Sequence, residues 1–258
     1  MNFLVNKNIK RALAEIRSFI PGAPFRSGAR ILMYHSIGGR PEDHPLAVRV
    51  PTDKFEKELL ELAESDYKTV AVSEVIENIK AIDNNRFIAI TFDDGYKDNI
   101  VTAAPLLKKF GLKATFFIST SYIDEKSQKR WADGEMREYM RWEDIARLEE
   151  MGFEIGSHMV HHTNLTALSD ADLCLEFKSS RDIISRHIGC PVNIFSYPYG
   201  EVDRRVIEMA RDTGYIGGCS SFSGYNNSNI NKYILRRTEI DGYDTIRNFR
   251  HKISGFYD

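Results

Sequence analysis

Short apolar segments alternate with longer amphipathic segments about seven times between residue 28 and the end of the chain. The segment 86–94, RFIAITFDD, is a continuous apolar run of the kind expected for a parallel strand that is covered on both faces. The segment 169–189, SDADLCLEFKSSRDIISRHIG, begins with a serine and ends with a glycine, as a capped helix does. This alternation predicts βαβ units with parallel strands, in a barrel or an open sheet.

No repeat or low-complexity linker divides the chain, so we predict one domain over residues 28–258, preceded by a helical segment over residues 1–27. In the first segment, four apolar residues recur at helical spacing with basic residues between them: Ile9, Leu13, Ile16 and Ile20. The pattern predicts a short amphipathic helix that packs on the domain. The alternative is a helix that lies on an anionic membrane surface and gives the protein a peripheral membrane contact.

Charge, cysteine content and hydropathy narrow the class of protein. The net charge of −2 gives no support for nucleic-acid binding, which normally requires a basic surface. The three cysteines are widely spaced, which argues against a disulfide framework and fits a reducing compartment. No apolar run reaches transmembrane length. Charged residues interrupt the apolar residues near the N-terminus, whereas a secretion signal has an uninterrupted apolar region. We expect a cytoplasmic or peripheral membrane location and leave an extracytoplasmic one open.

Polar residues follow several of the predicted strands, at the point where each strand ends. They are Asp93 and Asp94 after RFIAITF, the histidines of SHMVHH (157–162) after FEIG, YPYG (197–200) after NIFS, His35 after RILMY, and Arg237 after YILR. In folds that alternate strands with helices, the ligand site lies at the carboxyl ends of the strands. We therefore expect these five groups to converge on one face of the sheet.

The adjacent aspartates and the histidines together predict a metal site. Two neighbouring carboxylates at the end of a buried strand repel each other, and a cation that binds one of them would leave the other free to accept a proton. His158 and His162 are four residues apart and can face one side of a turn, as can His158 and His161 at a spacing of three. Two imidazoles and one carboxylate form the three-ligand, open arrangement of catalytic zinc. Without the histidines, a DDG sequence would more simply cap the next helix or turn.

These motifs resemble those of the polysaccharide deacetylases of carbohydrate esterase family 4, the NodB homology domain. TFDDG (91–95) resembles the first motif, SHMVHH (157–162) the second and YPYG (197–200) the end of the third. The resemblance covers about residues 30–240 and implies a distorted (β/α) barrel with about seven parallel strands. It also implies individual roles: Asp93 as general base, Asp94, His158 and His162 as metal ligands, and Tyr199 as donor of a backbone N–H to the oxyanion.

The chain also departs from the usual family pattern. Ser196 stands where the third motif has an arginine, and the aspartate and tryptophan of the fourth motif and the histidine of the fifth are absent. These absences resemble one branch of the family, the deacetylases of biofilm and exopolysaccharide systems. The branch implies that His35 is the general acid and that Arg237, rather than Arg236, orients Asp93. The alternatives are a core or loop histidine and a surface salt bridge.

The resemblance implies a metal-dependent hydrolase that removes N-acetyl groups from amino-sugar residues of a poly- or oligosaccharide and releases acetate. Zinc is the expected metal, and the same ligands would accept nickel, cobalt or iron. Two alternatives stay open: a metal-dependent amidase that acts on a non-sugar substrate, and a catalytically weak glycan-binding module, which the missing motif residues favour. Five aromatic residues could stack on sugar rings, with core packing favoured for the first two: Tyr34, Trp142, Tyr96, Trp131 and Tyr197.

Overall fold

Parallel strands form the centre of the structure, a computed structural model that describes residues 9, 11–14, 28–44, 46–123, 128–130 and 136–256. The strands in this part of the chain are β1 (Gly28–Tyr34), β2 (Ser36–Ile37), β3 (Arg49–Val50), β4 (Lys68–Thr69), β5 (Arg86–Phe92), β6 (Thr115–Ile118), β7 (Gln128–Arg130), β8 (Met136–Glu138), β9 (Glu154–Ser157), β10 (Ile194–Ser196), β11 (Gly217–Cys219) and β12 (Thr238–Glu239). The central sheet has the order β11-β10-β9-β6-β5-β1-β12, with β4 also beside β5, and every pairing in it is parallel.

Helices connect these strands. They are α1 (Thr52–Ala63), α2 (Val72–Glu77), α3 (Ala104–Lys109), α4 (Trp142–Glu150), α5 (Asp170–Ile188), α6 (Arg204–Asp212) and α7 (Ile246–Ser254). The predicted caps of α5 are confirmed: the Ser169 side chain accepts a hydrogen bond from the Asp172 N–H, and Gly189 ends the helix with a φ of 74°. A π-helical turn at Asn99–Ala103 leads into α3.

The apolar run of β5 lies between two layers of buried side chains. Ile90 and Phe92 pack in the same cluster as Phe55 of α1 and Leu107 of α3. Ala89 belongs to a second cluster on the other face of the strand. Because successive side chains of a strand point to opposite faces, a strand buried on both faces is apolar throughout, as the sequence predicted.

The sheet curves into an incomplete barrel. An isolated parallel bridge joins Cys219 at the end of β11 to Leu235, while β12 pairs with β1. Close packing inside the curve requires a small residue at Gly156, where a Cβ would lie 2.5 Å from the ring of Phe117. The predicted α/β architecture, a distorted barrel of about seven parallel strands, is confirmed. The predicted domain boundaries stay a prediction.

Five residues of the predicted N-terminal helix are described, and they are helical: Ile9 and residues 11–14. Ile9 and Leu13, which the apolar pattern expects to pack on the domain, are 53% and 52% exposed. Arg11 instead faces the domain and donates a hydrogen bond to Asp244 Oδ1 at 3.0 Å. The amphipathic helix as a whole stays a prediction, since the rest of the segment lies outside the described residues. Across the part of the chain that the structure describes, none of the helices has the length and apolar character needed to span a membrane.

Candidate active site

Most of the polar residues singled out in the sequence lie at the carboxyl ends of central strands, but Arg237, which was expected to follow a strand, directly precedes β12. Asp93 and Asp94 follow β5, His158 follows β9, Ser196 ends β10, and His35 follows β1. These strands run parallel in one sheet, so their carboxyl ends share one edge. The edge is therefore where the chain can assemble a site from distant segments.

A left-handed backbone conformation at Asp94 brings the two aspartates to the same side. An extended continuation of β5 would point Asp93 and Asp94 to opposite faces. Instead Asp94 has a φ of 75° and Gly95 a φ of 82°, a conformation that glycine adopts without steric cost. Both carboxylates then approach one imidazole: His158 Nε2 is 3.4 Å from Asp94 Oδ1 and 4.0 Å from Asp93 Oδ2.

Asp94, His158 and His162 form a group of potential metal ligands, which we call the metal group. One ligand atom from each lies within 4.8 Å of the others, and Asp94 Oδ1 is 3.3 Å from His162 Nε2. His161, the alternative suggested by its spacing, pairs with Glu176 instead and has a side chain that is 68% exposed. The structure therefore brings together the three residues that the family resemblance names as ligands.

The donor atoms of this group fit a divalent cation. Asp94 Oδ1 is buried and has no hydrogen-bond partner among the described residues. Burial alone would raise the pKa of Asp94, but the charge of His162 beside it holds that pKa far below its usual value. A cation bound between the carboxylate and the two imidazoles would balance the buried charge of Asp94 in place of a protonated His162, and would leave both imidazoles neutral as ligands.

Hydrogen bonds to Ser196 orient His158 as a candidate ligand. His158 Nδ1 lies 2.9 Å from the Ser196 carbonyl oxygen and 2.7 Å from its Oγ. Burial lowers the pKa of His158 to about 4, so the imidazole is neutral. We assign its proton to Nδ1, which donates to Ser196 and leaves the Nε2 lone pair directed at the metal group. The sequence marks Ser196 only as the place of a missing arginine, and its role depends on contacts that no motif shows.

Arg237 forms a bidentate salt bridge with Asp93 through both terminal nitrogens of its guanidinium. Nη1 lies 2.7 Å from Asp93 Oδ1, and Nη2 lies 2.8 Å from Oδ2. Both side chains are buried, and Ser196 Oγ is 3.3 Å from Asp93 Oδ2. Burial would raise the pKa of Asp93, but the charge of Arg237 outweighs it and lowers that pKa. The adjacent Arg236 is exposed and donates to the Ser223 carbonyl, so the arginine on Asp93 is Arg237.

His35 and Tyr199, the other two predicted site residues, also lie near the metal group. His35 is half-buried, its Nδ1 has no hydrogen-bond partner among the described residues, and it lies close enough to Asp93 and Asp94 to interact electrostatically with both. The ring of Tyr199 packs edge-on against His162 with a centroid distance of 4.7 Å. The Tyr199 side chain is largely exposed, so its backbone rather than its ring is fixed by the fold.

Backbone strain is concentrated at this site. Among the described residues, five non-glycine residues have a positive φ, and four of them belong to the site: Asp94, Met159, His162 and Tyr199. Such conformations cost about 1–3 kcal/mol each and persist where the surrounding structure imposes them. Their clustering around the metal group indicates a backbone shaped to place these residues rather than one selected for stability alone.

A family model described as polysaccharide deacetylase matches residues 80–217. The chain belongs to the polysaccharide deacetylase family. The matched range contains Asp93, the three candidate ligands and Tyr199. Two other residues of the site, His35 and Arg237, lie outside it, so the family match alone does not assign them.

The chain is similar in sequence to deacetylases from several bacteria. Bacillus subtilis YxkH, which carries a polysaccharide deacetylase name, is 29% identical over 81% of this chain and 70% of its own length. The Listeria monocytogenes peptidoglycan-N-acetylglucosamine deacetylase PgdA is 26% identical over 70% of this chain, which spans only 34% of that protein. A Staphylococcus aureus poly-beta-1,6-N-acetyl-D-glucosamine N-deacetylase is 22% identical over 81% of this chain and 73% of that protein.

Solved structures share the fold of this polysaccharide deacetylase family member. The Streptococcus pyogenes deacetylase PplD, in complex with acetate, superposes with a TM-score of 0.76 at 22% identity, over 88% of this chain and 98% of that one. IcaB from Ammonifex degensii gives 0.74 at 17% identity, over 90% of this chain and 98% of that one. At these identities the superpositions support the fold and leave the substrate to be argued from the site.

The aromatic residues expected to contact sugar are largely in the core of this family member. Tyr34 and Tyr197 are fully buried, and their hydroxyls donate to Glu58 and to the Tyr233 carbonyl. The remaining three are Tyr96, which is buried, Trp142, which stacks on His187, and Trp131, which lies outside the described residues. Core packing, the favoured prediction for Tyr34, is confirmed, and sugar stacking is wrong for Tyr96 and Tyr197. The exposed aromatic ring beside the metal group is that of Tyr199.

Proposed function

We propose that this chain is a metal-dependent deacetylase that removes N-acetyl groups from amino-sugar residues of a poly- or oligosaccharide and releases acetate. The observation that carries this proposal is a buried, ionised Asp93 beside a three-ligand group with an unpaired carboxylate oxygen. Hydrolysis of an amide needs a base for water, a means to stabilise negative charge and an acid for the departing amine. The site has a candidate for each.

Asp94, His158 and His162 would hold the metal, for which we propose zinc. Two imidazole nitrogens and one carboxylate oxygen are a donor set found in catalytic zinc sites, although nickel, cobalt and iron accept the same ligands. When bound, such an ion polarises the amide carbonyl and lowers the pKa of water.

Asp93 takes the proton from the attacking water. Each of its oxygens accepts one hydrogen bond from Arg237 and has further lone-pair capacity for a water molecule. The bidentate pairing fixes the plane of the carboxylate, and the lowered pKa keeps it ionised and ready to accept a proton. Arg237 is thus a positioning residue for the base.

His35 and Tyr199 complete the reaction. His35 donates a proton to the amine nitrogen as the C–N bond breaks, because an amine anion is too poor a leaving group to depart unprotonated. The backbone N–H of Tyr199 donates to the oxyanion of the tetrahedral intermediate, an interaction whose loss typically costs about 3–4 kcal/mol. The strained φ of 59° at Tyr199 supports a backbone held for this purpose.

Names of the relatives support an N-acetylglucosamine polymer as substrate. The two relatives with a stated substrate act on peptidoglycan N-acetylglucosamine and on poly-beta-1,6-N-acetyl-D-glucosamine. The departures from the usual motifs, with Arg237 on Asp93 in place of an arginine at Ser196, favour the exopolysaccharide branch. A non-sugar amidase and a glycan-binding module are the competing functions.

Acetate release from a substrate panel tests this function. The zinc-loaded chain is incubated with N-acetylglucosamine oligomers in β-1,4 and β-1,6 linkage and with N-acetylated non-sugar amides, beside an Asp93→Asn control. We expect acetate from the oligomers and none from the control. Acetate from the simple amides alone would favour the amidase, and glycan binding without acetate from any substrate would favour the binding module.

We also propose a peripheral membrane contact through the N-terminal segment, which fits a location at the membrane. The outward exposure of Ile9 and Leu13 supports it, because an apolar pair on the outer side of a short helix is suited to lipid. Sedimentation with anionic vesicles should retain the full chain and lose a variant without residues 1–22. Equal sedimentation of both would exclude the contact.

A further inference from the structure

The turn that carries the two histidine ligands is strained at both ends. It follows β9 and contains His158 to His162, with a φ of 63° at Met159 and 51° at His162. Neither residue is a glycine, so the left-handed conformation is unfavourable for both. Something outside the turn must impose it.

Backbone groups after β6 hold the carbonyl side of the turn. The Thr120 N–H donates to the Met159 carbonyl at 3.1 Å, and the Ser121 N–H donates to the Val160 carbonyl at 2.9 Å. These bonds fix where the middle of the turn lies. Because these two bonds use only carbonyl groups of the turn, the N–H groups of the turn need acceptors from another part of the structure.

A single carboxylate, that of Glu176 on α5, holds the N–H side. Glu176 Oε2 accepts hydrogen bonds from the Val160 N–H at 2.8 Å and the His161 N–H at 3.2 Å, and Oε1 lies 2.5 Å from His161 Nδ1. The residue is only 6% exposed, so water cannot readily take its place. All three contacts fall between the two ligand histidines.

We propose that Glu176 is a positioning residue that holds His162 in its metal-binding conformation. Without the carboxylate, two N–H groups of the turn lose their acceptor, and Met159 and His162 can relax toward unstrained backbone conformations. His162 Nε2 would then leave its place beside Asp94. This inference rests on the proposed metal site and adds a residue that no sequence motif contains.

Glu154 provides a matched comparison within the same chain. It lies at the opposite end of β9, and its Oε2 accepts hydrogen bonds from the Val72 N–H at 2.9 Å and the Thr115 hydroxyl at 2.7 Å. Glu154 therefore also anchors backbone N–H groups with a carboxylate, but at the start of α2 rather than at the metal group. Substituting it reports the general cost of losing such an anchor.

Zinc affinity, measured by competition with a chromophoric chelator on the full chain, tests the proposal. Outer-shell partners of metal ligands typically contribute a factor of about 10–100 in affinity. We expect Glu176→Ala to weaken zinc binding by that factor. Glu154→Ala should lower the thermal unfolding temperature but change zinc affinity by less than about twofold, because its contacts lie away from the ligands.

Conservative variants keep the test decisive if Glu176→Ala does not fold. Glu176→Gln retains an oxygen for the two N–H groups and should restore most of the affinity, whereas Glu176→Asp retains the charge but is too short to reach them and should not. Equal zinc affinity in the Asp, Gln and unmodified proteins would overturn the proposal, as would an equal loss in the Glu154 variant. Absence of zinc binding by the unmodified chain would also overturn it. Zinc binding that depends on Glu176 without acetate release would count against the deacetylase function alone.

Discussion

Two clusters of buried charged residues in this chain differ in how their charges are paired. The active-site cluster contains Asp93, Asp94, His158, His162 and Arg237. It pairs Asp93 with Arg237 but leaves Asp94 Oδ1 without a hydrogen-bond partner among the described residues. Two of its five residues, Asp94 and His162, have a positive φ. In this cluster the Asp94 carboxylate meets two imidazoles, with Oδ1 lying 3.4 Å from His158 Nε2 and 3.3 Å from His162 Nε2.

The second cluster, which we call the structural cluster, contains Tyr34, Glu58, Asp244 and Lys252. Tyr34 donates to Glu58 Oε2 at 2.9 Å, and the Lys252 ammonium donates to Asp244 and to the Glu239 carbonyl. None of its residues has a positive φ. Lys252 and, from outside the cluster, Arg11 balance the charge of Asp244, and burial favours the neutral form of Glu58, so the cluster needs no ligand. The comparison teaches that an unmatched buried charge on a strained backbone, rather than buried charge itself, marks the candidate site.

His158→Ala should produce the largest effect, because it removes a metal ligand from the active-site cluster. We expect zinc affinity to fall by more than the roughly 10–100-fold loss typical of outer-shell changes, and acetate release to fall to background. Metal analysis after dialysis and an acetate assay check this. His187→Ala is the matched control, since that histidine stacks on Trp142 away from the metal group. Full metal occupancy in the His158 variant would exclude it as a ligand.

Asp93→Asn should lower turnover by about 10³-fold while zinc binding is retained, because the amide cannot accept the water proton. Asp244→Asn gives the counterpart in the structural cluster. Breaking its buried pair with Lys252 should lower the free energy of unfolding by about 3–5 kcal/mol and leave turnover of the folded protein unchanged. Measuring turnover and urea denaturation on both variants tests these two predictions. Full activity in the Asp93→Asn variant would reject the base assignment.

His35→Ala should have a smaller effect on turnover, about 10²-fold, with zinc content unchanged. The proposed acid contributes to the departure of the amine and not to metal binding, so substrates with better leaving groups should be affected less. Comparing an N-acetylglucosamine oligomer with an activated aryl acetamide measures this difference. An equal loss on both substrates, or no loss on either, would place the acid elsewhere.

Much of the fold and several site residues could be predicted because the signals are local. A strand buried on both faces must be apolar throughout, which identifies β5, and Ser169 and Gly189 mark the ends of α5 through short-range capping. Parallel strands then bring their carboxyl ends to one edge, so the residues after β5 and β9 could be expected on the same edge of the sheet, although β6 lies between these strands.

The rest depends on contacts that sequence spacing does not encode. Glu176 lies in an amphipathic helix, where a glutamate normally faces water, and only the tertiary structure turns it toward the histidine turn. The left-handed φ of Asp94 cannot be predicted from the residue type alone, because aspartate adopts this conformation more often than most residues but still only in a minority of positions. Tyr197 looks suited to sugar stacking but lies in the core, where its hydroxyl donates to the Tyr233 carbonyl.

The Glu58→Gln variant should leave turnover unchanged, because Glu58 belongs to the structural cluster and has no contact with the candidate ligands. Burial, only partly opposed by the hydrogen bond from Tyr34, raises the pKa of Glu58 from 4.5 to about 8. A carboxyl with a raised pKa in the folded state binds a proton that the unfolded chain releases near pH 4.5, so its contribution to stability is lost as the pH rises toward 8. Relative to the unmodified protein, the Gln variant should therefore gain roughly 4 kcal/mol in free energy of unfolding between pH 4.5 and pH 8. Urea denaturation at several pH values measures this difference, with Glu64→Gln, an exposed residue just after α1, as the control expected to show none. A difference that stays constant with pH would mean that Glu58 is ionised in the folded protein. The structural cluster would then hold a second carboxylate charge, and a further buried cation would be needed to balance that charge.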